Sequence, residues 1–284
     1  MGNLRGVRLE NEFGLDVDGI REKARCIRRR ILRMNFRAGQ GHTGADLSEV
    51  DILTSLYFRI LRIRRNRLKN VDRDRFIQSK GHGVGGLYCT LAEAGYLDRA
   101  ALDTYLELGG LPGHPERQKT PGMELNTGAL GHGLSVGVGL ALAGKLKGRS
   151  YRVFVLTGDG ELQEGSNWEA AMSASRFKLD NLIVINDRNT LQLADRTEVI
   201  MPLEPLAEKW RAFGFDVMVT DGNDVAAFVE TVEGIDTGNG RPHVVIARTT
   251  KGKGVSFIED RAAWHHRTPT EDELSVALRE LEGS

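Results

Sequence analysis

Two short words in this 284-residue chain pair a carboxylate with a neutral oxygen donor. Gly158-Asp159-Gly160 follows the apolar run Arg152 to Thr157, and Asp187-Arg188-Asn189 follows the apolar run Leu182 to Asn186. Runs of this kind are buried in parallel sheets, and a helix-length segment from Ser166 to Phe177 between them completes a βαβ unit. Both words then emerge at the carboxyl edge of the sheet, where open α/β folds bind ligands. Asp159 and Asn189 can therefore converge although thirty positions separate them. Mg²⁺ takes six oxygens in near-octahedral array and shares them with phosphates and water. The Asp159 carboxylate, the Asn189 amide oxygen and one main-chain carbonyl, expected from Leu191, leave room for two diphosphate oxygens and a water. Gly160 lets the backbone approach those oxygens, and the amino end of the next helix favours their charge. The alternative is a pair of ordinary turns, since 34 glycines make such tripeptides common. Placement after a buried strand, with a matching Asn after the next one, favours the site.

The elements that must carry these words are legible in outline. Asp216 to Thr220, a helix from Asp224 to Val232, and His243 to Thr249 continue the strand–helix alternation. The expected fold is α/β: a doubly wound, mostly parallel sheet with helices on both faces. Upstream, Ile20, Ala24, Ile27, Ile31 and Met34 recur at helical spacing, with arginines on what is expected to be a solvated outer side. A second helix is expected through Leu47, Val50, Leu53, Tyr57 and Ile60, capped by Asp46 or Ser48. Gly81 to Gly133 is rich in Gly and Pro and reads largely as functional loop. Leu134 to Leu146 reads as a helix buried on most sides. Thr270 and Glu273 form a capping box for a last helix carrying Leu274, Leu278 and Leu281.

Length suits a single domain over 1–284, with an N-terminal extension over 1–18 and a His-containing loop and helix over 264–284. Lys plus Arg and Asp plus Glu both number 39, so no net charge draws the chain to nucleic acid or an anionic membrane. Cys26 and Cys89 do not make a disulfide framework, and no apolar run approaches a membrane span. A soluble, cytoplasmic protein is expected.

The words around Gly158-Asp159-Gly160 and Asn189 resemble the thiamine-diphosphate motif, and the chain as a whole resembles transketolases. Gly41-His42-Thr43-Gly44, Ser79-Lys80-Gly81-His82, Leu111-Pro112-Gly113-His114-Pro115-Glu116 and Gly128-Ala129-Leu130-Gly131 stand in family order. Glu161-Leu162-Gln163-Glu164-Gly165, Thr250-Lys251-Gly252-Lys253-Gly254 and Trp264-His265-His266 continue it. Thr43 departs from the Pro common in the family, and Ala129 from Pro or Ser.

This resemblance implies thiamine diphosphate held through Mg²⁺, with Ca²⁺ or Mn²⁺ as substitutes, on Asp159, Asn189 and Leu191. It places His82 and His266 near the diphosphate, with His265 the rival to His266. It turns His42, His114 and His266 toward a ketose. Gly128, Ala129, Leu130, Gly160 and Glu164 complete the implied cofactor contacts. Imidazoles suit proton movement to and from sugar hydroxyls near neutral pH. Of the seven histidines, His243 at a strand start reads as structural and His132 is given no role. Lys80 and Lys251 either add positive charge or are solvated surface lysines, and Glu169 either meets a partner or is an ordinary helix-surface carboxylate. The implied activity is transfer of a two-carbon ketol unit from a ketose donor to an aldehyde acceptor. In the family the glutamate that acts on the cofactor's pyrimidine ring belongs to a further domain. The chain is therefore expected to need a separate C-terminal subunit carrying that glutamate, in a two-plus-two heterotetramer. A 2-oxoacid dehydrogenase α chain, a deoxyxylulose-phosphate synthase-like subunit or a non-catalytic regulatory homologue are the competing readings.

Overall fold

The computed structural model describes residues 10–283. A five-stranded sheet forms from β1 (Arg75–Gln78), β2 (Val153–Gly158), β3 (Leu182–Arg188), β4 (Asp216–Asp221) and β5 (His243–Arg248). Its order is β1-β2-β3-β5-β4, and every neighbouring pair is parallel. Period-two alternation sends successive side chains to opposite faces and so builds two cores. Phe154, Leu156, Ile183, Ile185 and Val245 pack with α1 (Val17–Ala38), α3 (Val50–Ser55), α4 (Val84–Glu93), α9 (Val225–Glu233) and α10 (Glu271–Glu280). Val153, Val155, Leu182, Val184 and Val244 pack on the other face with α5 (His132–Leu146), α6 (Gly165–Arg176) and α8 (Leu206–Ala212). Two short helices, α2 (Thr43–Ser48) and α7 (Thr197–Ile200), lie in the connections. The chain has the expected doubly wound α/β fold. Among the described residues no helix is long and apolar enough to cross a membrane.

Local chemistry sets the element ends. The Asp16 side chain accepts from Gly19 N to open α1, and Gly39 closes it in the left-handed region at φ 65°. Thr270 and Glu273 form the expected capping box on α10. Of the expected N-terminal extension, residues 1–9 lie outside the described residues. Asn11 binds the carbonyls of Tyr57 and Leu61, and Leu15 N donates to the Phe58 carbonyl.

Four expectations need correction. The basic side of α1 is not simply solvated: Arg28 is 6% exposed and meets Asp51 at 2.6 Å, while Lys23 and Arg30 pair with Glu93. The second helix is two short ones, α2 and α3, broken at Glu49 and ending in a π turn over Leu56–Ile60. Neither Asp46 nor Ser48 caps it. Asp46 instead accepts from Asn35 Nδ2 (2.9 Å) and Gly86 N (3.2 Å), and the Ser48 hydroxyl donates to Asp187 (2.6 Å). The Gly81–Gly133 region contains the buried helix α4. Gly85 is required there by contact, since a Cβ would stand 2.6 Å from Asp46 Oδ2. Finally, α5 buries one face only; Val136 and Leu146 are exposed on the other.

Candidate active site

Because β2 and β3 are paired with Gly158 opposite Asp187, the two chemical words leave the sheet side by side. A cavity of about 400 Å³ opens at this carboxyl edge. Asp159, Gly160, Asn189 and Leu191 line its floor. Asp159 is 2% exposed; its Oδ2 accepts from Thr190 N at 2.5 Å and faces Arg188 Nη1 at 3.2 Å. Its Oδ1 is buried without a protein partner. Burial pushes this carboxyl up to about 7, against the pull of Arg188. An oxygen so placed is short of one positive or donating group, which is the condition a bound cation meets.

Asn189 Nδ2 donates to Asp187 Oδ2 (3.3 Å) and Ser48 Oγ (3.5 Å), which fixes its Oδ1 as the acceptor of Leu191 N at 3.1 Å. The Leu191 carbonyl accepts from Lys251 Nζ at 3.3 Å. Among the described residues no group of three or more His, Cys, Asp or Glu side chains is arranged to hold a metal. The donors that fit one are thus a single carboxylate, an amide oxygen and a carbonyl. All are hard oxygen ligands of the kind Mg²⁺ prefers.

Positive charge comes from two lysines that the solvated reading misplaces. Lys80 is 1% exposed and bridges Glu49 (2.8 Å) and Asp187, with Nζ also on the Ala45 carbonyl. Burial pulls its ammonium down, but Asp187 and Glu49 outweigh that and leave it above the usual lysine range. Lys251 is 2% exposed and stands 3.0 Å from His265 Nδ1. Burial, helped by Lys80, lowers it to about 8.

The histidines gather as the sequence suggests. The His42 ring lies 5.3 Å from His82, 5.6 Å from His265 and 4.6 Å from His266. His42, His82, His114 and His265 line the cavity, whereas His266 is exposed beside His42. Of the two adjacent candidates, the structure puts His265 inside. Burial, reinforced by neighbouring imidazoles and both lysines, lowers His42 to about 4 and His265 to about 3, and places His82 well below its ordinary value. These three rings are neutral near pH 7.

Gly128 and Leu130 line the cavity; Ala129 does not, and Glu164 is exposed at the start of α6, as Glu169 is farther along it. His243 is buried 3.9 Å from Asp216, away from the site, and His132 is exposed at the start of α5. Sequence reasoning missed Asp187, Glu161 and Gln192, although each sits in or beside a word it had singled out.

The family described as transketolase, thiamine diphosphate binding domain, matches residues 21–283. A relative from Actinobacillus succinogenes, named as one subunit of apulose-4-phosphate transketolase, is 57% identical over 95% of this chain and 99% of its own length. A relative from a Clostridium species, named as a 6-deoxy-6-sulfo-D-fructose transketolase subunit, is 40% identical over 93% of this chain and 96% of its own. Among solved structures, Campylobacter jejuni transketolase superposes with a TM-score of 0.89 at 30% identity, covering 94% of this chain but only 43% of that one. The chain thus spans less than half of the full-length transketolase it matches, and nearly all of the relatives that are themselves named as subunits. It belongs to the thiamine-diphosphate-binding domain family of transketolases.

Proposed function

We propose that this chain is the diphosphate-binding subunit of a two-chain transketolase. The observation that carries the reading is the unpartnered, buried Asp159 Oδ1 in a cavity that also presents Asn189 and Leu191, beside two buried lysines. Asp159, Asn189 and the Leu191 carbonyl hold Mg²⁺, for which Ca²⁺ or Mn²⁺ can substitute. Lys80 and Lys251 offset the diphosphate charge, with His82 and His265 beside it. Thiamine diphosphate, when bound, supplies the carbon nucleophile that accepts a two-carbon unit. His42, His114 and His266 hold the ketose; a neutral His42 can take a proton from a sugar hydroxyl and return it.

A separate C-terminal subunit contributes the pyrimidine-binding glutamate, and two of each chain build two sites in a closed heterotetramer working in the cytoplasm. The names of the relatives make a ketose 4-phosphate of the apulose type the first donor to test, with an aldehyde acceptor. Purified chain with thiamine diphosphate and Mg²⁺ should turn over negligibly, and activity should rise with added partner until the two are equimolar. Robust turnover by the chain alone, once mass spectrometry excludes host transketolase, would refute the two-chain reading. Turnover of pyruvate in place of the ketose would favour the 2-oxoacid alternative.

A further inference from the structure

Glu161 is absent from the roles above, yet it is 2% exposed, lines the cavity and ties three chain segments together. Its Oε1 accepts from the Ser79 hydroxyl and from Gly131 N (3.0 Å), and its Oε2 accepts from Gly158 N (3.0 Å). Its own carbonyl accepts from Asn167 Nδ2 (2.6 Å) and Glu164 N (3.1 Å), so the acceptor is itself pinned to α6.

Each of the three donors neighbours groups that wall the cavity. Ser79 precedes Lys80 and His82, Gly131 follows Gly128 and Leu130, and Gly158 precedes Asp159. These segments also fit without slack: a Cβ on Gly133 would stand 2.2 Å from Ser79 Oγ. On charge alone a neutral residue would suit an anion-binding cavity better than a carboxylate. A neutral amide has one acceptor oxygen, however, and its NH₂ would confront the N–H of Gly158 or Gly131. Glu161, with two acceptor oxygens, takes all three donors at once.

We infer that Glu161 is a positioning residue whose carboxylate holds the Ser79, Gly131 and Gly158 segments at the spacing that admits the cofactor's diphosphate. The inference rests on the reading of this cavity as the thiamine-diphosphate site. Glu161 acts through those walls and not by touching the reacting atoms.

The test is calorimetric titration of thiamine diphosphate, with saturating Mg²⁺, into wild-type and Glu161→Gln chain, each paired with the partner subunit. Affinity per folded molecule should fall more than tenfold in Glu161→Gln, and further Mg²⁺ should not restore it. Unchanged affinity with only a lower melting temperature would overturn the inference and leave Glu161 a residue of the fold. If Glu161→Gln does not fold, Ser79→Ala removes one donor and should weaken binding threefold or more; unchanged binding there overturns the inference equally. Wild-type pair that binds no cofactor would overturn the reading of the cavity, and this inference with it.

Discussion

Replacing Lys80 by Met should be among the most destabilising single changes in this chain. The ammonium is 1% exposed and is held by Glu49, Asp187 and the Ala45 carbonyl, so methionine removes the charge while nearly conserving the volume. Burial pushes the Glu49 carboxyl up to about 8 against the pull of Lys80, so it is the easier of the two partners to neutralise by taking up a proton once the ammonium is lost. The group stranded by the substitution is therefore Asp187, which Lys80 and its hydrogen bonds hold below the usual carboxylate range despite burial. Breaking a buried pair from one side costs about 3–5 kcal/mol. Hydroxyls of Ser48 and Thr249 remain on Asp187, which argues for the lower end, about 3 kcal/mol. Against a typical stability of about 5–15 kcal/mol, that is a large fraction. Urea unfolding at pH 7 measures it, and adding Asp187→Asn completes a double-mutant cycle. The double variant should regain at least about 1 kcal/mol over the sum of the single losses. A Lys80→Met loss below about 1 kcal/mol, or strict additivity in the cycle, would show that the buried pair does not carry the energy assigned to it.

Glu49 supplies a pH-dependent counterpart. Its folded-state value of about 8, raised by burial over the pull of Lys80, exceeds the roughly 4.3 of an unfolded glutamate, so the folded chain binds this proton more tightly. The stability it contributes is complete below about pH 4.3 and is lost as pH rises toward 8, at no more than about 1.4 kcal/mol per unit. Glu49→Gln should flatten that loss; urea midpoints falling equally in both proteins across this window would refute the assignment. Asp159→Ala removes the one carboxylate of the proposed metal site, and should weaken thiamine diphosphate binding in Mg²⁺ by more than tenfold, about 1.4 kcal/mol or more, by calorimetry on the paired subunits. Near wild-type affinity would remove Asp159 from the metal.

The strands β2 and β3 were readable because central parallel strands are buried on both faces and so appear as unbroken apolar runs. Strand β1 was not: Arg75 and Gln78 flank only Phe76 and Ile77, and the pairing with β2 makes it a strand. Asp46 and Ser48 look like caps in sequence, since a short polar side chain near a helix start reads the same whether it faces its own backbone or a distant one. Their true partners, Gly86 and Asp187, lie 40 and 139 positions away. Lys80 and Lys251 hold the same lesson. Whether a lysine is solvated or buried depends on a carboxylate arriving from elsewhere, and no spacing within either word records it. The choice between His265 and His266 is made just past the 3₁₀ turn Ala262–Trp264, where His265 is half-buried in the cavity wall and His266 is exposed. What sequence did convey well was which loops meet at the carboxyl edge.

Val136 and Leu146 stand exposed on α5, as Met172 and Phe177 do on and just beyond α6. In a fused protein a tether keeps two halves at an effective concentration on the order of millimolar, whatever the cell's expression level. A chain that carries such a surface on its own meets any cover only at the concentration at which that cover is made. Shielding these side chains then becomes a question of gene dosage: surplus copies expose apolar surface to chaperones, proteases and one another. On the two-chain reading proposed above, balanced synthesis of the two subunits would thus act as a form of quality control that a single long polypeptide does not require.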